Sequence, residues 1–219
     1  MEFIYEKLAD GMIYYKNVIP DPYGVIDKIE SLEEKRKNTK NNTSIAVKPW
    51  TVWDYEHGND QRTVFCWQKF LPNPKDIDID DIFYSEQMEI SSILFSALDN
   101  TIKHYFTIYP FAERAIKSRE DKMHVLKYEK SGFLPKHSDH GQSSRVLSVL
   151  LYLNEDYEGG EISWPDVNIT LKPEAGSIIY FPSNFVFTHE VAPITGGVRY
   201  ALPNWFHNRK ERYDSDGSE

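Results

Sequence analysis

Hydrophobic positions follow two different spacings in the two halves of the chain. After Asp121 the chain consists of short β-like runs rich in β-branched and aromatic residues, and Gly, Pro, Asn and Asp separate the runs. These runs span residues 122–129, 145–153, 160–164, 168–171, 177–181, 187–191 and 198–206. Several short strands with regular turn signals predict an all-β barrel or sandwich rather than alternating βαβ units.

The first half predicts one hairpin and two helices. Residues 3–19 place aromatic and β-branched residues around an Asp-Gly turn, which is typical of a hairpin. Asp21 and Pro22 predict a helix start, and this helix ends in the charged run EEKRKNTKNN, which we expect to be solvated. Apolar residues at three- and four-residue intervals predict a second helix from Ser85, as its cap, to about residue 106.

Residues 37–80 show no sustained helical or strand period, which favours long loops with short strands. Loops of this length often form lids or binding loops, so the segment is a candidate substrate cover. The alternative is that its tryptophans pack the edge of the core. The segment contains Trp50, Trp53, His57, Arg62 and Trp67.

Length, charge and cysteine content narrow the class of protein. A chain of 219 residues favours one globular domain, and a net charge of −9 argues against a surface that neutralises nucleic-acid phosphates. The single cysteine, Cys66, excludes an internal disulfide and a structural zinc site, and we expect a buried free thiol. The absence of a signal-peptide pattern or membrane-spanning run predicts a cytoplasmic protein without a membrane partner.

Three residues have the chemistry of a metal site. His137 and Asp139 lie two apart in LPKHSDHG, so in an extended segment both side chains point to the same face. His189, in FTHEV on a later predicted strand, supplies a third ligand if the fold brings the strands together. Two imidazoles and one carboxylate are the ligand set of non-haem Fe(II) oxygenases, with three positions left open. His140, which faces the other way, and His207 are not expected to be ligands.

A basic residue near the end of the chain adds an anion site. Arg199 follows His189 by ten residues, and a guanidinium facing inward from a strand requires an anion partner. One arginine across from the metal could bind the far carboxylate of a dicarboxylate whose other end chelates iron. Tyr152 lies on a neighbouring predicted strand and could add a phenol donor to the same carboxylate.

These motifs together resemble the prolyl 4-hydroxylase-like branch of the Fe(II)/2-oxoglutarate-dependent dioxygenase superfamily. The resemblance covers about residues 128–207, through YEKSGFLPKHSDHG, YLNEDYEGGEISWPD, GSIIYFPSNFVFTHEV and VRYALPNWFH. It implies that His137, Asp139 and His189 bind iron, and that Arg199 with Tyr152 and Tyr128 binds 2-oxoglutarate. Collagen-modifying members have lysine at the Arg199 position, whereas oxygen-sensing relatives have arginine. The retained Asp139 argues against the halogenating relatives.

The fold implied is mainly β (α+β): a double-stranded β-helix, or cupin-like jelly roll, with N-terminal supporting helices. We expect one domain over residues 1–219, with a helical support and lid region at 1–120, the metal-binding jelly roll at 121–208 and a flexible tail at 209–219.

The resemblance implies hydroxylation of a C–H bond coupled to decarboxylation of 2-oxoglutarate to succinate, with Fe(II), 2-oxoglutarate, O2 and optionally ascorbate. A peptide or protein side chain such as proline is the leading substrate. A small molecule remains an alternative. A nucleic-acid base is disfavoured because Trp205 stands where such demethylases have a second arginine. A non-catalytic cupin-like metal-binding domain is the alternative from another class. The oligomeric state stays open.

Overall fold

A computed structural model describes residues 2–39, 49–57, 61–140 and 144–209, without the side chains of residues 54–57 and 61–65. The helices are Pro22–Asn38 (α1), Tyr84–Ile108 (α2) and Pro110–Ala115 (α3). None of the helices in these ranges is long and apolar enough to cross a membrane.

The strands are Ile4–Ala9 (β1), Met12–Lys16 (β2), Thr51–His57 (β3), Gln61–Pro72 (β4), Ser118–Arg119 (β5), Lys122–Tyr128 (β6), Leu134–His137 (β7), Arg145–Tyr152 (β8), Glu158–Gly159 (β9), Ile162–Trp164 (β10), Ile169–Leu171 (β11), Ile178–Pro182 (β12), His189–Val191 (β13), Ile194–Gly196 (β14) and Arg199–His207 (β15).

In the described part of the chain, these strands form a major and a minor sheet and one isolated pair. The major sheet has nine strands in the order β1-β2-β12-β8-β15-β6-β4-β3, with β5 beside β15. The minor sheet has the order β11-β10-β13-β7, and β14 pairs with β9. All recorded pairings are antiparallel. The mainly β fold class and the double-stranded β-helix predicted from the sequence are confirmed.

Two hydrophobic cores cover the two faces of the major sheet. On β8, Val149 and Leu151 pack with the helices, while Leu150 and Tyr152 point to the other core, which lies between the sheets. All nine residues of β15 are buried, so this strand is covered on both faces. Side chains alternate across a strand, so a one-residue shift of β8 would exchange its two sets of side chains.

The N-terminal hairpin and α1 form as the sequence predicts. The β1–β2 turn uses Gly11 at φ +79, and a Cβ there would lie 2.8 Å from Pro182 Cγ. Glycine therefore meets both the dihedral and the space requirement of this turn. The side chain of Asp21 accepts a hydrogen bond from Gly24 N at 3.0 Å and caps α1.

The cap of α2 differs from the expectation. The helix begins at Tyr84, and its cap residue Phe83 makes no side-chain capping bond. Asp81 Oδ1 instead accepts from Phe83 N at 2.8 Å and from Gln87 Nε2 at 2.9 Å. The Asp81 carboxylate therefore caps the helix start from four residues before Ser85, the cap that we expected.

The prediction of long loops over residues 37–80 is wrong for the described residues. Strands β3 and β4 pair with each other, and β4 pairs with β6 from Trp67↔Lys127 to Pro72↔Lys122. The alternation is hidden because polar residues stand on both faces of β4: Lys69 is 1% exposed on one face, and Gln68 lines a pocket on the other. Residues 40–48 and 58–60 lie outside the described ranges, as do the side chains of His57 and Arg62.

The charged run at the end of α1 is not simply solvated. Glu33 is 2% exposed and accepts hydrogen bonds from Lys69 at 2.6 Å and from Arg36 at 2.7 and 3.0 Å. The run therefore contains a buried ion-pair network that attaches α1 to β4.

The division of the chain into regions stays a prediction. The first 120 residues supply β1 to β5 to the major sheet in addition to the helices, so they are more than a support. Of the expected tail, Arg209 is described and residues 210–219 lie outside the described ranges.

Candidate functional site

The three predicted metal ligands come together between the two sheets. One ligand atom from each of His137, Asp139 and His189 lies within 4.8 Å of the others. His137 ends β7 and His189 begins β13, and the two residues are register partners in the minor sheet. The Nε2 atoms of the two histidines lie 3.6 and 3.7 Å from the Asp139 carboxylate oxygens.

Asp139 reaches this cluster by a different route from the one expected. Strand β7 ends at His137, so Asp139 stands in a bend after the strand rather than on an extended segment. Its carboxylate Oδ2 accepts a hydrogen bond from Ser148 Oγ at 2.6 Å. Strand alternation alone therefore does not place Asp139, and a contact from β8 contributes.

The electrostatics of the cluster suit a metal ion. Burial would raise the pKa of the Asp139 carboxyl, but His137, His189 and Ser148 outweigh it and hold the pKa well below its usual range. Burial lowers the pKa of His189 to about 4, against the opposing effect of Asp139. Burial would also lower the pKa of His137, but the hydrogen bond and charge of Asp139 raise it. An ionised carboxylate beside a neutral imidazole provides ligand lone pairs.

The aromatic surroundings of His189 restrict its ring. Phe181 lies at 4.9 Å between ring centroids in an edge arrangement, and Trp164 lies at 6.2 Å. His189 Nδ1 is 3.2 Å from the carbonyl of Phe187, which favours the Nδ1–H tautomer. His137 Nδ1 is likewise 2.9 Å from the carbonyl of Pro135. Both rings can therefore present Nε2 to an ion.

Arg199 is a buried cation in the same site. Register pairs Arg199 with Tyr128 and Ala201 with Tyr152, so both tyrosines flank the arginine on neighbouring strands. The Arg199 Cζ lies 4.9 Å from the Tyr128 ring centroid and 5.3 Å from that of Tyr152. Arg199 is 1% exposed, yet its Nε and Nη1 atoms have no hydrogen-bond acceptor, and neither does the Tyr152 hydroxyl. Buried donors without acceptors are costly and mark a place for an anion.

A pocket of about 330 Å³ joins the metal cluster to Arg199. His137, Asp139, His189, Arg199 and Tyr128 all line it, whereas Tyr152 lies beside Arg199 outside the lining. The pocket can hold a small dicarboxylate with one end at the cluster and the other at the guanidinium.

Sequence reasoning missed Tyr157, which follows β8 in a loop. Its hydroxyl is buried and without a hydrogen-bond partner, and it interacts with Arg199. A Cβ on Gly160 would lie 3.2 Å from both Arg199 Cδ and Tyr157 Cε2, which places the two side chains against the same backbone. Nothing in the local pattern marks this tyrosine, because the contact depends on a loop and a strand distant in sequence.

Cys66 is a further residue near the anion site. The thiol is buried, as expected, and burial raises its pKa to about 12, against the opposing charge of Arg199. It therefore remains a protonated thiol at physiological pH.

The outer wall of the pocket combines aromatic and charged side chains. Arg145 stacks on Trp205, with its Cζ 3.7 Å from the ring centroid, and donates to Glu120 at 2.9 Å. His124 also lies 3.0 Å from Glu120 and packs edge-on to Trp205. Trp53, from the segment expected to form loops, lines this wall too.

The two other histidines near the motif are outside the metal cluster. His140 is exposed, and its Nδ1 lies 2.6 Å from the carbonyl of Arg145. His207 is buried, with Nδ1 2.8 Å from Ser144 Oγ and Nε2 3.6 Å from Glu120.

The sheet pair, the cluster of three candidate ligands and the buried arginine are typical of non-haem iron oxygenases with a dicarboxylate cosubstrate. Comparisons with known proteins agree. Residues 123–207 match the family model described as the 2OG-Fe(II) oxygenase superfamily. The resemblance to this superfamily and to its prolyl 4-hydroxylase-like branch, expected from the sequence, is confirmed.

Two of the relatives that match are named as prolyl hydroxylases. Prolyl 3-hydroxylase 2 of Rattus norvegicus is 39% identical over 67 residues, covering 28% of this chain and 10% of the relative. A putative prolyl 4-hydroxylase of Acanthamoeba polyphaga mimivirus is 32% identical over 74 residues, covering 30% of this chain and 31% of the relative. The chain thus spans about a tenth of the length of the first curated relatives that it matches.

A solved structure supports the fold over nearly the whole chain. The prolyl hydroxylase of Trichoplax adhaerens, in complex with a hypoxia inducible factor peptide fragment, has a TM-score of 0.63 at 20% identity. The match covers 96% of this chain and 89% of that structure. The matched family supports the expected enzyme class, an oxidoreductase of the hydroxylase type, and this family uses Fe(II), 2-oxoglutarate and O2.

Proposed function

We propose that this chain is an Fe(II)- and 2-oxoglutarate-dependent dioxygenase that hydroxylates a peptide or protein side chain such as proline. The observation that carries the proposal is one pocket with two separate binding ends. The ligand atoms of His137, Asp139 and His189 lie within 4.8 Å at one end. Arg199, buried and with two donors lacking acceptors, lies at the other. A metal-binding domain without turnover has no use for the second end.

The residues present fit the implied cofactors. The two imidazoles and one carboxylate are the donor set suited to Fe(II), and they leave room for exchangeable ligands on the open side. Nε and Nη1 of Arg199 are unpartnered donors, and a carboxylate is an anion that a guanidinium binds through charge-assisted hydrogen bonds. When bound, Fe(II) with 2-oxoglutarate supplies the activation of dioxygen for C–H hydroxylation, with succinate and carbon dioxide as the other products.

The chain's own residues would bind and orient the cosubstrate, and they exclude water. Arg199, with Tyr152 and Tyr128 beside it, would fix one carboxylate of the cosubstrate and so orient its 2-oxo acid end toward the triad. The buried aromatic residues Trp164 and Phe181 keep bulk water from His189. Burial keeps His189 neutral, since its pKa is lowered to about 4, so it can bind a cation without first losing a proton.

The outer wall supports a peptide substrate. The stacked Trp205 and Arg145 offer an apolar face next to polar donors, which suits a ring or methylene flanked by peptide carbonyls. The relatives named prolyl hydroxylases agree with this choice. Nucleic acid fits poorly, because the chain has a net charge of −9 and Trp205 occupies the place of a second arginine.

Succinate formation tests the hypothesis that the protein is an enzyme. The protein is incubated with 2-oxoglutarate, Fe(II) and ascorbate, and succinate is measured against an Asp139→Ala control. We expect slow uncoupled succinate formation by the wild type. Succinate no higher than in the control, with both proteins folded, contradicts the proposal and leaves the non-catalytic metal-binding domain.

A second measurement identifies the substrate class. Pools of peptides, nucleosides and small metabolites are incubated with the enzyme and examined by mass spectrometry for addition of one oxygen atom. A peptide product supports the proposal. A product confined to the nucleoside or small-molecule pool keeps the chemistry and overturns the substrate.

A further inference from the structure

The segment around Asp139 is held by Ser183, the residue that directly follows β12. The carbonyl oxygen of Ser183 accepts from Ser138 Oγ at 3.1 Å and from His140 N at 2.9 Å. These two donors are the residues immediately before and after Asp139. Ser183 N in turn donates to the carbonyl of Val146 at 3.2 Å, which connects Ser183 to β8.

Ser183 is also connected to the carboxylate of Asp139, through the hydroxyl of Ser148. Ser148 Oγ donates to Asp139 Oδ2 at 2.6 Å and lies 2.8 Å from Ser183 Oγ. An ionised carboxylate only accepts, so the Ser148 proton points at Asp139 and the Ser183 hydroxyl donates to Ser148. The direction of this two-bond chain is therefore fixed from Ser183 to Asp139.

Both hydroxyls stand on rigid parts of the fold. Ser148 is 0% exposed and Ser183 is 1% exposed. Ser148 lies within β8, with register partners on both sides, Phe181 on β12 and Trp205 on β15. A short, buried and charge-assisted hydrogen bond in such a place holds its acceptor tightly.

We propose that Ser148 and Ser183, here called the serine pair, are positioning residues that set the place of Asp139 in the metal site. Asp139 stands in a bend outside β7, so no ladder hydrogen bonds of that strand fix it. The serine pair adds a restraint from the major sheet through the hydrogen bond from Ser148 Oγ to Asp139 Oδ2. This inference rests on the proposed function, because it concerns the same metal site.

Metal affinity without turnover tests the inference. The affinity of the full chain for Mn(II), added alone without cosubstrate, is measured by calorimetry for the wild type, Ser148→Ala, Ser183→Ala and Ser148→Thr. Loss of an outer hydrogen bond to a metal ligand weakens binding about 10–100-fold, and we expect this range for Ser148→Ala. Ser148→Thr keeps the hydroxyl and should restore most of the affinity. Ser183→Ala should show a smaller loss, because its carbonyl still holds the residues around Asp139.

A matched control separates this role from ordinary packing. Ser91 on α2 is also 0% exposed, and its hydroxyl has no hydrogen-bond partner. Ser91→Ala should keep the wild-type Mn(II) affinity. A thermal melt of each metal-free variant checks folding; if Ser148→Ala fails to fold, Ser183→Ala carries the test.

The outcomes distinguish this inference from the proposed function. Ser148→Ala, or Ser183→Ala in its place, that is folded and binds Mn(II) as tightly as the wild type overturns the positioning role and leaves the enzyme proposal intact. A loss of affinity in Ser148→Ala that Ser148→Thr fails to restore also overturns it. A wild type that binds no Mn(II) overturns both.

Discussion

Replacing Arg199 by methionine is expected to move cosubstrate affinity and the stability of the free protein in opposite directions. The side chain is 1% exposed, and two of its nitrogens lack acceptors when no anion is bound. Methionine is long, unbranched and apolar, so it fills much of the same space and leaves no buried charge behind. The substitution therefore removes an anion anchor and a desolvation cost together.

The expected loss of affinity follows from two hydrogen bonds. Each hydrogen bond to a charged group contributes about 1.5–3 kcal/mol, so losing a bidentate pair costs about 3–6 kcal/mol. At about 1.4 kcal/mol per tenfold change, the Kd for 2-oxoglutarate should rise about 10²–10⁴-fold.

The expected gain in stability is smaller. Replacing buried ionic groups by apolar ones of similar volume is often neutral or stabilising by about 1–4 kcal/mol. Contacts of the guanidinium with the rings of Tyr128 and Tyr152, at 4.9 and 5.3 Å, offset part of this gain. We expect a net gain of about 1 kcal/mol, which raises the Tm by about 2–4 °C in a chain of this size.

Thermal unfolding of the Mn(II)-loaded and metal-free proteins, with and without 2-oxoglutarate, measures both effects. Arg199→Lys is the matched control, since it keeps the charge but not the fork, and its affinity should fall between the other two. A methionine variant that is less stable when free and still binds 2-oxoglutarate like the wild type would refute the reasoning.

Three further substitutions test other parts of the structure. Tyr157→Phe should raise the KM for 2-oxoglutarate several-fold at unchanged kcat, because its hydroxyl neighbours the Arg199 guanidinium; an unchanged KM contradicts this. Trp205→Ala should lower hydroxylated product relative to succinate, because the pocket loses its aromatic wall; unchanged coupling contradicts this. Lys69→Met should destabilise the fold by about 3–5 kcal/mol in urea unfolding, because Glu33 loses a buried partner at 2.6 Å. Combining Lys69→Met with Glu33→Gln should restore part of this loss. A double variant whose loss of stability equals the sum of the two single losses contradicts this.

The Glu33 carboxylate predicts that the stability of the fold depends on pH in the acid range. Burial would raise the pKa of Glu33, but hydrogen bonds from Arg36 and Lys69 outweigh burial and hold the pKa to about 2, below the ordinary 4.5. Because the pKa of Glu33 is lower in the folded protein, its ionised carboxylate stabilises the fold at pH values above the ordinary pKa. This contribution is lost as the pH falls from about 4.5 toward 2. Tm measured across this range should fall less steeply for Glu33→Gln, and equal slopes would argue against the network.

The strands of the second half could be predicted because strands that are buried on both faces give short apolar runs between turn residues. Strand β8 buries Val149 and Leu151 on one face and Leu150 and Tyr152 on the other, so the run is apolar and bounded by turns. The candidate metal ligands could also be predicted from the sequence, because few roles require two imidazoles and a carboxylate in one pocket.

The parts that could not be predicted depend on partners distant in sequence. Strand β4 carries polar side chains on both faces, and only Glu33 on α1 and the pocket explain why they are buried. The position of Asp139 depends on Ser183, and nothing in the tetrapeptide HSDH indicates that Ser138 and His140 donate to the carbonyl of this distant residue. Such contacts leave no local periodicity.

The pairing of β2 with β12 has a consequence for how the molecule assembles. Tyr15 pairs with Ile178, and the neighbouring Met12 and Tyr14 complete the core between the sheets. The hairpin therefore pairs with a strand that is distant in sequence, and such pairing slows folding. Residues 123–207, the segment shared with the family, would by themselves expose the edge of β12 as an open template for aggregation. The segment shared with the family thus depends on the β1–β2 hairpin to cover this edge.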